Sequence, residues 1–187
     1  MPAITLEQLL ESRDRRAAHQ KDLLERHPGK SLLCLTVQLP GAEKWNAQSL
    51  AIAKAGVEAV RKAFVTEYEE LRDLETGYEA YFIVPMSPQD AKRLTCRIED
   101  THPLGRLMDI DVIHAAHPVS ENYFSGRDPK IIVSRSDIGL APRRCLLCGN
   151  EVRYCMRAKT HTTAELLKRI EQMLKEYELQ APNPRTD

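Results

Sequence analysis

The run Ser31-Leu32-Leu33-Cys34-Leu35-Thr36-Val37-Gln38-Leu39 is apolar at most positions, whichever way alternate side chains point. A strand with both faces apolar must be covered on both sides, so it belongs at the centre of a sheet. The turn pair Pro40-Gly41 closes it. The rest of the chain must supply the covering layers. Asn46 to Phe64 reads as a helix, with Leu50, Ala53, Val57, Val60 and Phe64 on one side. Thr66 to Leu74 and Gly77 to Val84 read as two strands joined by a short turn around Thr76-Gly77. Ser87 to about Asp100 is a second helix, with Ala91, Leu94 and Ile98 inward. Arg106 to His114 and Lys130 to Arg135 are further strands. From Ser31 the order is β-α-β-β-α-β. This is the split β-α-β, ferredoxin-like or palm-like pattern, an α+β fold with helices against a mostly antiparallel sheet.

Further helices flank this core. Thr5-x-x-Gln8 is a capping box that opens an N-terminal helix with a partial apolar stripe of Leu6, Leu9, Leu10, Ala17 and Leu24. His27-Pro28-Gly29 stops it. Thr162-x-x-Glu165 opens a C-terminal helix running to about Glu178. Its face of Leu166, Leu167, Ile170, Met173, Leu174 and Tyr177 is wide enough to pack on the core. The expected organisation of residues 1–187 is a single domain. It comprises a core over 31–135, a Cys/Arg-rich segment with a packing helix over 136–178, and a disordered tail over 179–187. With 187 residues, 42% apolar, the chain can bury a core without disulfides. Lys plus Arg and Asp plus Glu are both 27, so the formal charge is zero, which argues against a general nucleic-acid binder. No apolar run is long enough to span a membrane, and the N-terminus lacks the pattern of a signal peptide. The five cysteines are an odd number, crowded at Cys145, Cys148 and Cys155, which suits a thiol or metal set in the cytoplasm better than a disulfide framework.

Met108-Asp109-Ile110-Asp111-Val112 alternates apolar with acidic. On a strand, Met108, Ile110 and Val112 point into the core, while Asp109 and Asp111 share the other face about 7 Å apart. Two carboxylates that close repel unless a cation lies between them. Magnesium takes one or two carboxylates and leaves its other positions to water and substrate phosphate. Such a pair is the metal-holding device of nucleotidyltransferase chemistry, in which a nucleophile attacks an α-phosphate and diphosphate leaves. A solvent-washed strand carries the same pattern, but here Leu107 and Ile113 share the acidic face. Downstream, Ser134-Arg135-Ser136-Asp137, Arg143-Arg144, Arg157, Lys159 and His161 form a dense set of donors on a neutral chain. Arginine forks match phosphate oxygens. Cys145-x2-Cys148-x6-Cys155-x5-His161 places four potential zinc ligands in a short stretch. Cys34 and Cys96 read as core residues.

Together these segments resemble the apo-citrate lyase phosphoribosyl-dephospho-CoA transferase family, the holo-citrate lyase acyl-carrier-protein synthases. The resemblance lies in Ser12-Arg13-Asp14-Arg15 with Gln20 and in Pro40-Gly41 with Lys44. It continues through His102-Pro103-Leu104-Gly105-Arg106 with Asp109-Ile110-Asp111, and through Ser134-Arg135 with Asp137. Arg143-Arg144-Cys145-Leu146-x-Cys148 and Cys155-x-Arg157 with Lys159 and His161 complete it. It covers about residues 7–178. Met108 stands where the family usually has a large aromatic, and residues 115–129 are longer than a tight connection, which reads as a surface insertion in preference to a lid or a carrier contact.

The resemblance implies transfer of a triphosphoribosyl-dephospho-CoA precursor onto a serine of the apo acyl-carrier (gamma) subunit of citrate lyase. Diphosphate leaves, and the enzyme is a nucleotidyltransferase-type transferase with no membrane or nucleic-acid partner. Asp109 and Asp111 are then the magnesium ligands. Asp137 is a third ligand or the base, with His102 as another candidate base or a turn-stabilising residue. Arg13, Lys44, Arg135, Arg143, Arg144 and Arg157 are the candidates for binding the triphosphate. The alternative is a module stabilised by zinc at Cys145, Cys148, Cys155 and His161 that binds a carrier protein or nucleotide without catalysis. A nucleic-acid-binding ferredoxin-like domain ranks last, because Tyr68, Tyr78, Tyr81 and Phe82 form no stacking motif.

Overall fold

The computed structural model describes residues 4–115 and 130–180. All but the first residue of the insertion expected over 115–129, and most of the expected tail, at 181–187, lie outside the described residues. Among the described residues the fold is α+β, with a five-stranded antiparallel sheet and five α-helices.

The helix α1 spans Leu6–Arg26 and opens on the expected capping box, with Thr5 and Gln8 each bonding the other's backbone. Strand β1 is Ser31–Val37, two residues shorter than the apolar run, and its first five residues are buried. Helix α2, Ala47–Ala63, is capped by Asn46 against Ser49. Strands β2, Tyr68–Leu74, and β3, Gly77–Val84, pair as a hairpin. Gly77 at its turn has φ +122°, a conformation that side chains resist. Helix α3, Pro88–Thr101, is capped by Ser87 and followed by a short 3-10 turn over Gly105–Leu107. Strand β4 is Met108–Ala115, and β5 is Lys130–Val133. Helix α4, Val152–Ala158, has no counterpart in the sequence expectations. Helix α5, Thr163–Gln180, continues two residues beyond Glu178.

The strand order is β2-β3-β1-β4-β5, with every neighbouring pair antiparallel. The apolar run thus lies in the central strand. Helices α2, α3 and α5 cover one face, where Leu33, Leu35, Ile52, Phe82, Ile98, Met108, Ile110 and Met173 share one core cluster. Helix α1 covers the other face, where Leu23 and Leu24 pack on Leu32, Cys34, Tyr81, Ile83 and Ile113.

The apolar stripe expected on α1 is only partly used. Leu6 is 73% exposed and Leu10 49%, while Ser12 and Gln20 are buried beside Leu23 and Leu24. The reason lies in the sheet face beneath it, which carries Glu70, Arg72, Glu79 and Asp111 and requires polar partners rather than leucines. Arg16 Nε donates to Glu79 at 2.7 Å, His19 Nε2 lies 2.9 Å from Glu70, and Ser12 Oγ is 2.8 Å from the Thr76 hydroxyl.

Candidate functional site

Strand β4 alternates as its sequence requires. Met108, Ile110 and Val112 are fully buried under α2 and α3, and Asp109 and Asp111 are half-buried on the α1 side. Across the ladder, Asp109 stands opposite Thr36 and Asp111 opposite Cys34. Asp109 accepts from Gln38 Nε2 at 2.8 Å and from Arg143 Nη1 at 3.4 Å. Among the described residues, the Asp111 carboxylate accepts no hydrogen bond and joins no ion pair. Burial, then the Asp109 charge, push it up to about 6, against the pull of Lys92 and Arg16. The adjacent Cys34 thiol is pushed up to about 12 by burial and stays protonated.

The β5 ladder on β4 extends only to Val112, which leaves the backbone groups of Ile110 and Met108 without a strand partner on that side. Charged side chains take the place of the strand. Glu99 Oε1 of α3 accepts from Ile110 N–H at 3.0 Å, Lys92 Nζ donates to the Ile110 carbonyl at 3.2 Å, and Arg143 donates to the Met108 carbonyl. Glu99 is 2% exposed, and its other oxygen meets Arg135 Nη1 at 3.2 Å and Arg143 Nη2 at 3.5 Å. Arg143 therefore spans both ends of this network, from buried Glu99 to half-buried Asp109. The seating is tight. A Cβ on Gly105 would lie 2.6 Å from the Glu99 carbonyl oxygen and closer still to that of Ile98.

On the α1 side a cavity of about 210 Å³ opens, lined among others by Arg13, Arg16, Lys44, Thr36, Gln38 and Tyr78. Lys44 Nζ donates to the Leu39 carbonyl at 2.5 Å, and burial lowers its pKa. Gln38 lines this cavity and also bonds Asp109, and Thr36 lines it and stands opposite Asp109, so the cavity adjoins the carboxylate pair although neither carboxylate lines it.

The segment after β5 folds back toward β4. Arg144 pairs with Glu151 in a single antiparallel bridge, Cys145 N–H donates to the Asn150 carbonyl at 2.7 Å, and Val152 N–H to the Arg143 carbonyl at 2.9 Å. The ligand atoms of Cys145, Cys148, Cys155 and His161 all lie within 4.8 Å of one another. A group of three thiols and an imidazole that close together can hold a metal such as zinc.

The family of apo-citrate lyase phosphoribosyl-dephospho-CoA transferases matches the chain over residues 4–177. The chain belongs to this family. Proteins named apo-citrate lyase phosphoribosyl-dephospho-CoA transferase, from Shigella boydii serotype 18 and Escherichia coli O157:H7, are each 35% identical over 181 residues. The match spans 94% of this chain and 91% of theirs. A Haemophilus influenzae protein named CitXG is 33% identical over 180 residues, which is 94% of this chain but 36% of that longer relative. No helix among the described residues is long and apolar enough to cross a membrane.

In this apo-citrate lyase phosphoribosyl-dephospho-CoA transferase family member, the residues singled out from sequence fall into three groups. Asp109 and Asp111 lie together on β4, where Arg143 reaches Asp109, and Arg13 and Lys44 share the adjoining cavity. Arg135 reaches the same network from behind, with donors to Glu99, to Asp100 at 2.5 Å and to the Ala141 carbonyl at 3.0 Å. The others lie apart. Asp137 accepts from Ser134 N–H at 2.8 Å, which holds its carboxyl below the usual range and caps a turn. Arg144 donates to the Gly149 carbonyl within the hairpin, and Arg157 is exposed on α4. His102 receives Leu104 N–H at 3.1 Å and packs its ring on Tyr177 of α5, a turn-stabilising position on the other side of the sheet. Sequence reasoning missed Arg16, Glu99 and Lys92. The last two stood in the register of the buried face of α3, with Thr95, Cys96 and Ile98. A lysine and a glutamate seven positions apart on an inward face signal a buried polar network.

Proposed function

We propose that this chain transfers the phosphoribosyl-dephospho-CoA group from its triphosphate donor onto a serine of the apo acyl-carrier (gamma) subunit of citrate lyase. Diphosphate is the leaving group. The single observation that carries the reading is the pair Asp109 and Asp111, half-buried on one strand face beside a cavity walled by Arg13, Arg16 and Lys44. An isolated carboxylate pushed up to about 6 by its surroundings is chemically matched to a divalent cation. Asp109 and Asp111 would hold magnesium. Bound there, the ion supplies positive charge to the α-phosphate and the departing diphosphate.

The chain's own residues do the rest of the positioning. Arg13, Arg16 and Lys44 attract and orient the triphosphate in the cavity, and Arg143 fixes the Asp109 carboxylate while offering its remaining donors to the same anion. Arg135 and Lys92 keep Glu99 and the β4 edge in register. The serine oxygen of the carrier bonds to the α-phosphorus, and the bond from that phosphorus to the diphosphate oxygen breaks. The hydroxyl proton leaves to diphosphate or solvent. The nucleophile belongs to the partner, so no serine of this chain is required. The strand order β2-β3-β1-β4, with α2 and α3 each crossing one strand, supports the ferredoxin-like, palm-like assignment of this nucleotidyltransferase chemistry. Five free cysteines support a cytoplasmic setting.

The test is intact-mass spectrometry of the apo carrier incubated with donor, magnesium and enzyme. Wild type adds the prosthetic-group mass, and Asp109→Asn slows that addition by roughly a hundredfold or more. Addition at the wild-type rate by the folded variant refutes the role of Asp109. No addition by folded wild type with its matched carrier favours the non-catalytic binding module, whose supporting observation is the Cys/His cluster.

A further inference from the structure

We propose that Cys145, Cys148, Cys155 and His161 bind one zinc ion that staples residues 143–161 and thereby holds Arg143 against β4. The proposal does not depend on the transfer chemistry.

The donor set is the first argument. Cys148 Sγ lies 3.5 Å from Cys155 Sγ and 3.4 Å from His161 Nε2, and all four ligand atoms fall within 4.8 Å. Tetrahedral zinc with sulfur at about 2.3 Å and nitrogen at about 2.0 Å needs ligand separations of about 3.5–3.8 Å. The backbone already has the shape of a metal knuckle. Leu147 N–H points at Cys145 Sγ at 3.5 Å, and Cys145 N–H closes the turn on Asn150. None of the four is joined by a disulfide.

The second argument is what this segment lacks. Most of its large apolar side chains face outward, with Leu147 36%, Tyr154 62% and Met156 71% exposed; Leu146 alone packs, part-buried, against the main core, and Cys155 is the only fully buried member. A hairpin and a seven-residue helix without a core of their own do not hold a fixed shape through burial. A metal bond among four side chains supplies that order.

The third argument is position. The stapled hairpin begins at Arg143, whose carbonyl accepts from Val152 N–H immediately before Arg153 and the rest of α4. The Arg143 guanidinium reaches Asp109, Glu99 and the Met108 carbonyl. Fixing the hairpin fixes the base of that side chain. Binding deprotonates up to three thiols and releases those protons to solvent. The resulting site has a net charge of about −1, in a segment that also carries Arg144, Arg153, Arg157 and Lys159.

The full chain, purified without a histidine tag, is assayed for metal and by zinc-edge X-ray absorption. The expected result is about one zinc per chain, with three sulfur ligands and one nitrogen. Cys148→Ser and Cys155→Ser lower zinc affinity about 100-fold or more, while Cys34→Ser and Cys96→Ser retain it. His161→Cys retains zinc and shifts the spectrum to four sulfurs, a signature that does not depend on any variant losing its fold. Stripping the zinc with a mercurial and a chelator speeds amide exchange across 143–161 and leaves β1 and β3 protected. A folded wild type without zinc when supplied with it overturns the proposal. So does zinc retained at wild-type affinity by the Cys148 and Cys155 variants, or a native mass short by two hydrogens, which marks a disulfide. Exchange unchanged in 143–161 after stripping overturns the stapling role.

Discussion

Replacing Asp111 with asparagine should make this protein more stable, and only above a definite pH. The Asp111 carboxyl is raised from its ordinary 3.8 to about 6, chiefly by burial and then by Asp109. At 1.36 kcal/mol per pH unit this penalises the ionised folded form by about 3 kcal/mol, reduced to about 2–3 kcal/mol because the side chain is only half-buried. The unfolded chain ionises near 3.8 and the folded chain near 6, so between those values the folded state holds more protons. Stability due to this group therefore falls as pH rises through that window and stays at its lower value above it. Asp111→Asn removes the penalty. Urea denaturation followed by circular dichroism should show the variant ahead by about 2–3 kcal/mol at about pH 7.5, or about 4–12 °C in Tm. The two proteins should converge near about pH 4. Magnesium should raise wild-type stability above the window and leave Asp111→Asn nearly unmoved. A variant less stable than wild type by the same amount at every pH would refute the reasoning. It would mean that the carboxylate is already stabilised by a partner and has no need of a cation.

Glu99→Gln keeps an acceptor for Ile110 N–H but leaves Arg135 and Arg143 without a buried counter-charge. It should cost about 2–4 kcal/mol in urea denaturation, and a loss below 1 kcal/mol would remove Glu99 from the frame of the site. Gly105→Ala drives a methyl against two backbone carbonyls of α3 that cannot move independently, for a cost of about 3 kcal/mol by the same measurement. Arg143→Lys loses the fork that joins Asp109 to Glu99. Steady-state transfer assays should show kcat/KM lower by about 10–1,000-fold with stability within about 1 kcal/mol of wild type. Lys44→Met should raise the donor KM about tenfold with little change in kcat, and an unchanged KM would take Lys44 out of the phosphate wall.

The elements with a strong local signature were legible in the sequence. The apolar run at 31–37 is the central strand, and Thr5, Asn46, Ser87 and Thr162 cap the four long helices where their side chains can reach the exposed N–H groups. The D-x-D alternation placed Asp109 and Asp111 on one face because a strand leaves no other choice. What remained hidden depends on tertiary context. Helix α4 is seven residues long and contributes one buried side chain, too little periodicity to register. The stripe on α1 misled because leucines mark a core only where the surface beneath them is apolar. The surface beneath α1 carries glutamates. Arg16 has no local signature of its role, which depends on Glu79 of β3. Glu99 and Lys92 close backbone groups that lose their strand partner where β5 ends, a fact about pairing that no local pattern records.

The α1 face of the sheet supplies its own control for the meaning of the acid pair. Glu79, Glu70 and Arg72 also carry charges there, and each of these is answered by the protein. Glu79 takes Arg16 and Tyr81, Glu70 takes Arg72, His19 and Tyr68, and Arg72 in turn lies over the Tyr81 ring. Even Asp109 is held by Gln38 and Arg143. This chain neutralises acids on a half-buried face wherever a partner is in reach, as the cost of burying an unpaired charge requires. Asp111 is the exception among the described residues, and it stands next to the cavity where cations gather. Thr36 and Cys34, its neighbours on β1, give it no countercharge. A carboxylate left unanswered on a face that answers its other acids is the position at which, on the proposed function, an external cation would complete the structure. A cation held there would, on the same proposal, meet a phosphate bound in that cavity, and the instability of Asp111 and the chemistry of the site would then have one physical cause.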